Sequence, residues 1–252
     1  MNRIVYDGAS QYGRYRIIDR VHNGRESRLL ISGSSAPQSG MAFDDDPELL
    51  FDYNQRLFEV VLSLQPQSIL AIGGGAFTLQ RAIIERLPSV QVDTVELDPL
   101  LPKLARKYFG LRRNRRLGIV TQDGREYINS CKATYDLIIV DAFHGYEVPR
   151  SLITAQAAAR YADLLSPGGS LVLNVITKYT GAMPTLAHRL IATLRPHFRA
   201  IELYPADPSD NQRSEQNLIF VASLDPSPSL DYLQSVRVYP QVFDDTQLQL
   251  HD

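Results

Sequence analysis

The sequence predicts an α/β protein built on a doubly wound, mostly parallel seven-stranded sheet, preceded by a small antiparallel β unit. Three observations carry that expectation. Between Pro66 and Ile176, short β-branched runs alternate with segments of helical period, the pattern of a parallel sheet covered on both faces. Where the first of these strands meets the first helix stands Gly73-Gly74-Gly75, a turn that lets the backbone approach a ligand closely. Near the end, Ala200 to Tyr204 and Asn217 to Ala222 flank a polar loop with no helix between them. That ending is a hairpin, so the last strand is expected to run antiparallel.

The elements follow in order. From Tyr12 to about Phe43, the apolar runs Tyr15 to Asp19 and Arg28 to Ser32 are broken at Asn23-Gly24, a hairpin signal. Asp44-Asp45-Asp46-Pro47 then opens a helix through Leu49, Tyr53, Leu57, Val60 and Leu64, with acids at the dipole-favoured start. Strands are expected over 68–72, 90–97, 118–121, 136–140 and 170–176, with helices over 79–87, 100–109, 125–130 and 151–165 between them. A further helix spans 186–194. Three regions result: a β-hairpin unit over 1–46, the sheet domain over 47–225, and a Pro- and Ser-rich tail over 226–252, expected to pack loosely.

Composition narrows the partners. The 252 residues suffice for one large core plus an appendage, with no second full domain. A net charge of -2, from 26 basic and 28 acidic residues, gives no general attraction to nucleic acid or anionic membrane. Met1 to Asp7 lacks the apolar stretch of a signal peptide, and no run approaches membrane-spanning length. A cytoplasmic protein is expected. Cys131 is the only cysteine, which excludes an intrachain disulfide and reads as a small residue beside a helix end. Arg112-Arg113-Asn114-Arg115-Arg116 reads as a solvated loop, and His188 and His197 as surface or packing residues. No grouping has metal-ligand spacing.

The chemistry-bearing residues sit at strand ends. Glu96, in Val95-Glu96-Leu97-Asp98, is placed to accept both hydrogen bonds of a ribose diol, while Asp98 reads as the cap of the next helix. Asp123 ends the third strand and serves either as a helix cap or as a partner for an adenine amine. Asp141 and His144 follow the fourth strand, and loops at the carboxyl ends of parallel strands form the crevice where ligands bind. A carboxylate and an imidazole so close together could hold and deprotonate a nucleophile.

Together with Ser166-Pro167-Gly168-Gly169, these signals resemble the class I S-adenosylmethionine-dependent methyltransferase pattern, and more closely the spermidine synthase (polyamine aminopropyltransferase) family. The likeness covers roughly Tyr12 to Ala222. It rests on Gln38-Ser39-Gly40, Phe51-Asp52-Tyr53, Gly73-Gly74-Gly75, Val95-Glu96-Leu97-Asp98, Ala105 to Phe109, Asp123-Gly124 and Tyr135 to Asp141. The resemblance implies an adenosyl ligand, S-adenosylmethionine or its decarboxylated form, and a homodimer. Gln38 and Glu96 would touch the ribose or sulfur side, Gly73 to Gly75 and Asp123-Gly124 would complete the nucleoside site, and Asp141, His144 and Tyr53 would serve the reaction.

Departures from the family pattern stand beside the likeness. Ala76 replaces an aspartate that pairs with the donor's ammonium, Asn54-Gln55 replaces His-Glu, and the usual D-x-x-D is Asp141-Ala142-Phe143-His144. With these acids missing, methyl transfer to an unassigned acceptor is expected ahead of aminopropyl transfer. In the latter reading His144 and the acids at 44–46, 207 and 210 would substitute. A silent binding or scaffold protein is the reading from another class.

Overall fold

A computed structural model describes residues 2–33, 37–44, 49–179, 185–207, 214–226 and 248–252. The amino-terminal residues form an antiparallel sheet of β1 (Arg3–Ala9), β2 (Arg14–His22), β3 (Arg25–Ser32) and β4 (Pro37–Ala42), in that order. Asn23 and Gly24 both have positive φ, 50° and 78°, which the right-handed strand twist favours in a two-residue hairpin. Strand β1 went unforeseen because its apolar residues do not alternate and it is largely solvent-facing, with a bulge between Ile4 and Tyr6. Tyr15, Ile17 and Leu30 of this sheet pack on Leu101, Leu104 and Phe109, so the small sheet leans on the large domain near the glycine turn.

The expected helix opening at 44–47 is corrected. Residues 45–48 lie outside the described residues, and Asp44 pairs with Arg25 at 2.6 Å instead. Helix α1 begins later and runs Asp52–Leu64, with Leu57, Phe58, Val60 and Val61 buried. The parallel core then runs β5 (Ser68–Ile72), α2 (Thr78–Arg86), β6 (Gln91–Glu96), α3 (Leu100–Tyr108), β7 (Leu117–Thr121), α4 (Gly124–Ser130) and β8 (Tyr135–Val140). A short 3-10 turn (Arg150–Leu152) precedes α5 (Ala155–Leu164), β9 (Leu165–Thr177), α6 (Leu186–Leu194), β10 (Ala200–Pro205) and β11 (Gln216–Ser223).

In the described residues the large sheet has the order β10-β11-β9-β8-β5-β6-β7, and β11 runs antiparallel to both its neighbours. This is the doubly wound sheet with a closing hairpin that the apolar runs predicted. Both faces are covered. Leu57, Phe58, Leu79 and Ile83 pack on one side, and Tyr161, Leu164, Leu190 and Leu194 on the other. No helix among the described residues is long and apolar enough to cross a membrane.

Of the tail expected to pack loosely, the last residues are tied to the large domain. Leu250 N–H donates to Thr193 Oγ1 at 2.9 Å, and Asp252 accepts from Thr154 Oγ1 at 2.6 Å and pairs with Arg125. Residues 227–247, with the expected short helical piece, lie outside the described residues. Within the basic cluster, Arg112, Arg113 and Arg115 are exposed, whereas Arg116 turns inward. Its guanidinium donates to the carbonyls of Ile84, Leu87 and Val90, closing the end of α2.

Candidate active site

A cavity of about 450 Å³ opens over the carboxyl ends of β5, β6, β7 and β8 and is roofed in part by the amino-terminal sheet. That volume suits a nucleoside-sized ligand. Gln38, Tyr53, Gly73, Gly74, Gly75, Glu96, Asp123, Gly124, Asp141 and His144, the ten residues expected to form a site, all line this one cavity.

The glycine turn explains its own sequence. A Cβ on Gly73 would stand 2.2 Å from the Asp141 carbonyl oxygen, and Gly73 has φ of 99°. A Cβ on Gly74 would fall 2.4 Å from the ring of Phe77, which is fully buried beneath the turn. Gly75 and Phe77 also adopt left-handed backbone, at φ 53° and 59°.

Four N–H groups of the turn are taken up within the protein. Gly74 and Gly75 donate to Glu96 Oε2 at 2.8 and 3.2 Å, Gly73 donates to the Val95 carbonyl, and Phe77 to the Gly74 carbonyl. Glu96 Oε1 accepts from Asp98 N–H at 2.9 Å. Glu96 therefore fixes the turn from within. Burial raises its pKa, and the three backbone donors counter part of that rise.

Asp141 follows β8 at the sheet's switch point and is held by Asn174, which Asn217 holds in turn. Asn174 Nδ2 donates to Asp141 Oδ1 at 2.8 Å, and Asn217 Nδ2 donates to Asn174 Oδ1 at 2.9 Å. Burial pushes the Asp141 carboxyl up to about 6, although the Asn174 donor pulls it down. Tyr53, on the first turn of α1, donates its hydroxyl to the Gln38 carbonyl at 2.5 Å. Its hydroxyl is held well above the usual tyrosine range by burial and by the charge of Asp141.

Asp123 caps α4, as one of its two readings required. Its Oδ1 accepts from Arg125 N–H at 2.8 Å and from Glu126 N–H at 3.0 Å. Gly124 is needed because a Cβ would meet Ile72 at 2.6 Å. Asp98 accepts from Leu100 N–H at 2.8 Å and from the Ser10 hydroxyl, tying the β1–β2 loop to the cavity rim. His144 is exposed in a tight turn, its N–H donating to the Glu147 carbonyl at 2.8 Å.

The structure gives the departures a physical meaning. Ala76 is buried against Tyr15, Leu101 and Leu104 and does not line the cavity. Asn54 does line it and is buried. Asn174 and Asn217 are site residues that sequence reasoning missed. The signal was present, since Asn174 interrupts an otherwise apolar buried strand. His188 is buried, bonded to Thr185 Oγ1 at 2.6 Å, and Cys131 closes the end of α4. Among the described residues no group of three His, Cys, Asp or Glu could hold a metal ion.

Comparisons with known proteins bear on the family and the fold. Residues 50–203 match the spermine/spermidine synthase domain. A polyamine aminopropyltransferase of Vibrio vulnificus is 32% identical over 136 residues, 52% of this chain and 46% of that protein. One from Chromobacterium violaceum is 33% identical over 149 residues, 58% of this chain and 57% of that protein. The chain thus spans about half the length of these curated relatives. A crystal structure of a probable spermidine synthase from Corynebacterium glutamicum superposes with a TM-score of 0.76 at 22% identity, covering 86% of this chain and 79% of that one. From the domain match, and the fold that accompanies it, the chain belongs to the spermine/spermidine synthase family.

Proposed function

We propose that this chain transfers an aminopropyl group from decarboxylated S-adenosylmethionine to an amine. One observation carries the reading: the charge of the cavity. Glu96, Asp98, Asp123 and Asp141 line it, and no lysine or arginine does among the described lining residues. The N–H groups of residues 73, 74, 75 and 77 are already accepted within the protein. A donor carrying a carboxylate would meet like charge from these four acids, and such juxtaposition costs several kcal/mol. A sulfonium with an ammonium tail, lacking the carboxylate, suits the same surroundings. Family membership supports aminopropyl transfer over the methyl transfer expected from the sequence.

In this reading Glu96 holds the turn and Asp123 offers its second oxygen to the adenine end. Asp141 receives the acceptor nitrogen. The nitrogen lone pair forms a bond to the propyl carbon, the C–S bond breaks with its electron pair passing to sulfur, and the nitrogen's proton passes to Asp141. The products are the lengthened amine and neutral methylthioadenosine. A sulfonium leaves readily, so alignment and exclusion of water are the protein's main work. A base raised to about 6 is close to the range in which proton transfer at neutral pH is effective.

Calorimetry with the two donors tests the reading. Decarboxylated S-adenosylmethionine is expected to bind at least about tenfold more tightly than S-adenosylmethionine, roughly 1.4 kcal/mol. Tighter binding of the carboxylated donor would restore methyl transfer to first place. Binding of neither would favour a silent scaffold.

A further inference from the structure

The strand order divides the cavity into two halves of different charge. With β8 at the boundary, β5, β6 and β7 lie on one side and β9 and β11 on the other. Glu96 ends β6, Asp98 lies just beyond it, and Asp123 lies just beyond β7. Three of the four carboxylates therefore stand on one side of Asp141. On the other side the lining side chains from β9 and β11 are Asn174, Ile176 and Asn217, with no acid among them.

Strand spacing sets the distances. Neighbouring strands lie about 4.8 Å apart, so Glu96 and Asp123 sit on strands about 10 and 14 Å from that of Asp141. The two nitrogens of an extended 1,4-diaminobutane are about 6 Å apart by ordinary bond lengths. Among the described lining residues, a diamine with one nitrogen at Asp141 and its chain over β9 and β11 would bring its second ammonium to carboxamides alone. An ammonium left without an anionic partner in a partly dry site is strongly disfavoured.

We infer that the acceptor is a primary amine with a single positive charge and a neutral, hydrogen-bonding far end, an amino alcohol in chemical class. The inference rests on the aminopropyl-transfer reading above and adds the identity of the nucleophile. Both ends of the Asn174 carboxamide are engaged, by Asp141 and by Asn217. Asn217 Nδ2 is likewise engaged, while its Oδ1 takes no bond from the described residues. That oxygen is the acceptor for the hydroxyl of such a ligand. Ile176, pairing with Asn217 across β9 and β11, offers the methylene chain an apolar surface between the two polar ends.

The pure protein with decarboxylated S-adenosylmethionine is given either 4-aminobutan-1-ol or 1,4-diaminobutane, which differ only in hydroxyl against ammonium. Methylthioadenosine release and product mass are measured. The amino alcohol is expected to show a kcat/KM at least about tenfold higher, the discrimination that one unpaired polar contact readily supplies. Equal turnover, or preference for the diamine, overturns the acceptor assignment and leaves aminopropyl transfer standing. Release with neither amine overturns aminopropyl transfer itself, and the acceptor assignment falls with it.

Discussion

Asn174 donates its carboxamide N–H to Asp141 at 2.8 Å and is locked in that orientation by Asn217 behind it. Three strands adjacent in the sheet but far apart in the chain thus meet at one carboxylate. The bond favours the ionised form of Asp141 against the opposing effect of burial. Asn174→Leu is expected to move the acidic limb of the kcat/KM profile from about pH 6 upward by at least about one unit, since a hydrogen bond to a charge contributes about 1.5–3 kcal/mol. An unmoved limb, in a variant that folds, would show that Asn174 does not tune Asp141.

Asp141→Asn should separate stability from activity. The folded pKa of about 6 lies above the roughly 3.9 of an unfolded aspartate. Below about pH 4 both states hold the proton and no penalty exists. As pH rises from 4 to 6 the unfolded chain releases it first, so stability falls, and the full penalty persists above 6. At pH 8 the variant is expected to be more stable than the parent by about 1–2 kcal/mol, converging near pH 4, while turnover drops about 10²–10⁴-fold. Urea titrations at the two pH values check the first part. A variant less stable than its parent at pH 8 would contradict the burial argument.

Glu96→Ala should damage binding by a structural route. It removes the acceptor for three backbone N–H groups at and beside the glycine turn. Methylthioadenosine affinity is expected to fall about ten- to a hundredfold, with a loss of about 2–3 kcal/mol in stability. Equal affinity by calorimetry would remove Glu96 from the site.

Ala76→Asp tests which way position 76 faces. A carboxylate there would be buried against Tyr15, Leu101 and Leu104. The expected result is a stability loss of about 2 kcal/mol or more and no gain in affinity for the decarboxylated donor. Tighter donor binding would mean that the side chain reaches the cavity after all.

Arg116→Ala serves as a contrast far from the chemistry. Three carbonyls at the end of α2 would lose their donor, and about 1–3 kcal/mol of stability should go with it. Donor affinity measured well below the melting temperature should stay within about twofold, because no contact to the cavity changes.

The large sheet was legible because its strands are short apolar runs with few competing assignments. Ser68 to Ile72 reads as a strand in the sequence and spans β5 without adjustment. Strand β1 was not legible, since Arg3 to Ala9 has no alternating apolar face to mark it. The acids at strand ends could be found by position, but their partners could not. Glu96 was read as facing a ligand; in the fold it lines the cavity and also accepts from the backbone of the turn. Asn174 and Asn217 are 43 residues apart, and only strand pairing brings them together. Residue type alone also could not show that Ala76 packs in the apolar cluster with Tyr15, Leu101 and Leu104 rather than lining the cavity.

Gly74 and Phe77 occupy one space between them: the ring fills the volume that a methyl on Gly74 would need. Neither position can therefore drift alone. A larger residue at 74 would require a smaller one at 77, and a smaller one at 77 would leave a phenyl-sized hole unless 74 grew. Across many related sequences the two positions should change as a correlated pair. The correlation would record packing beneath the ligand site, so a scan for jointly varying positions would flag the turn even if ligand and chemistry had diverged.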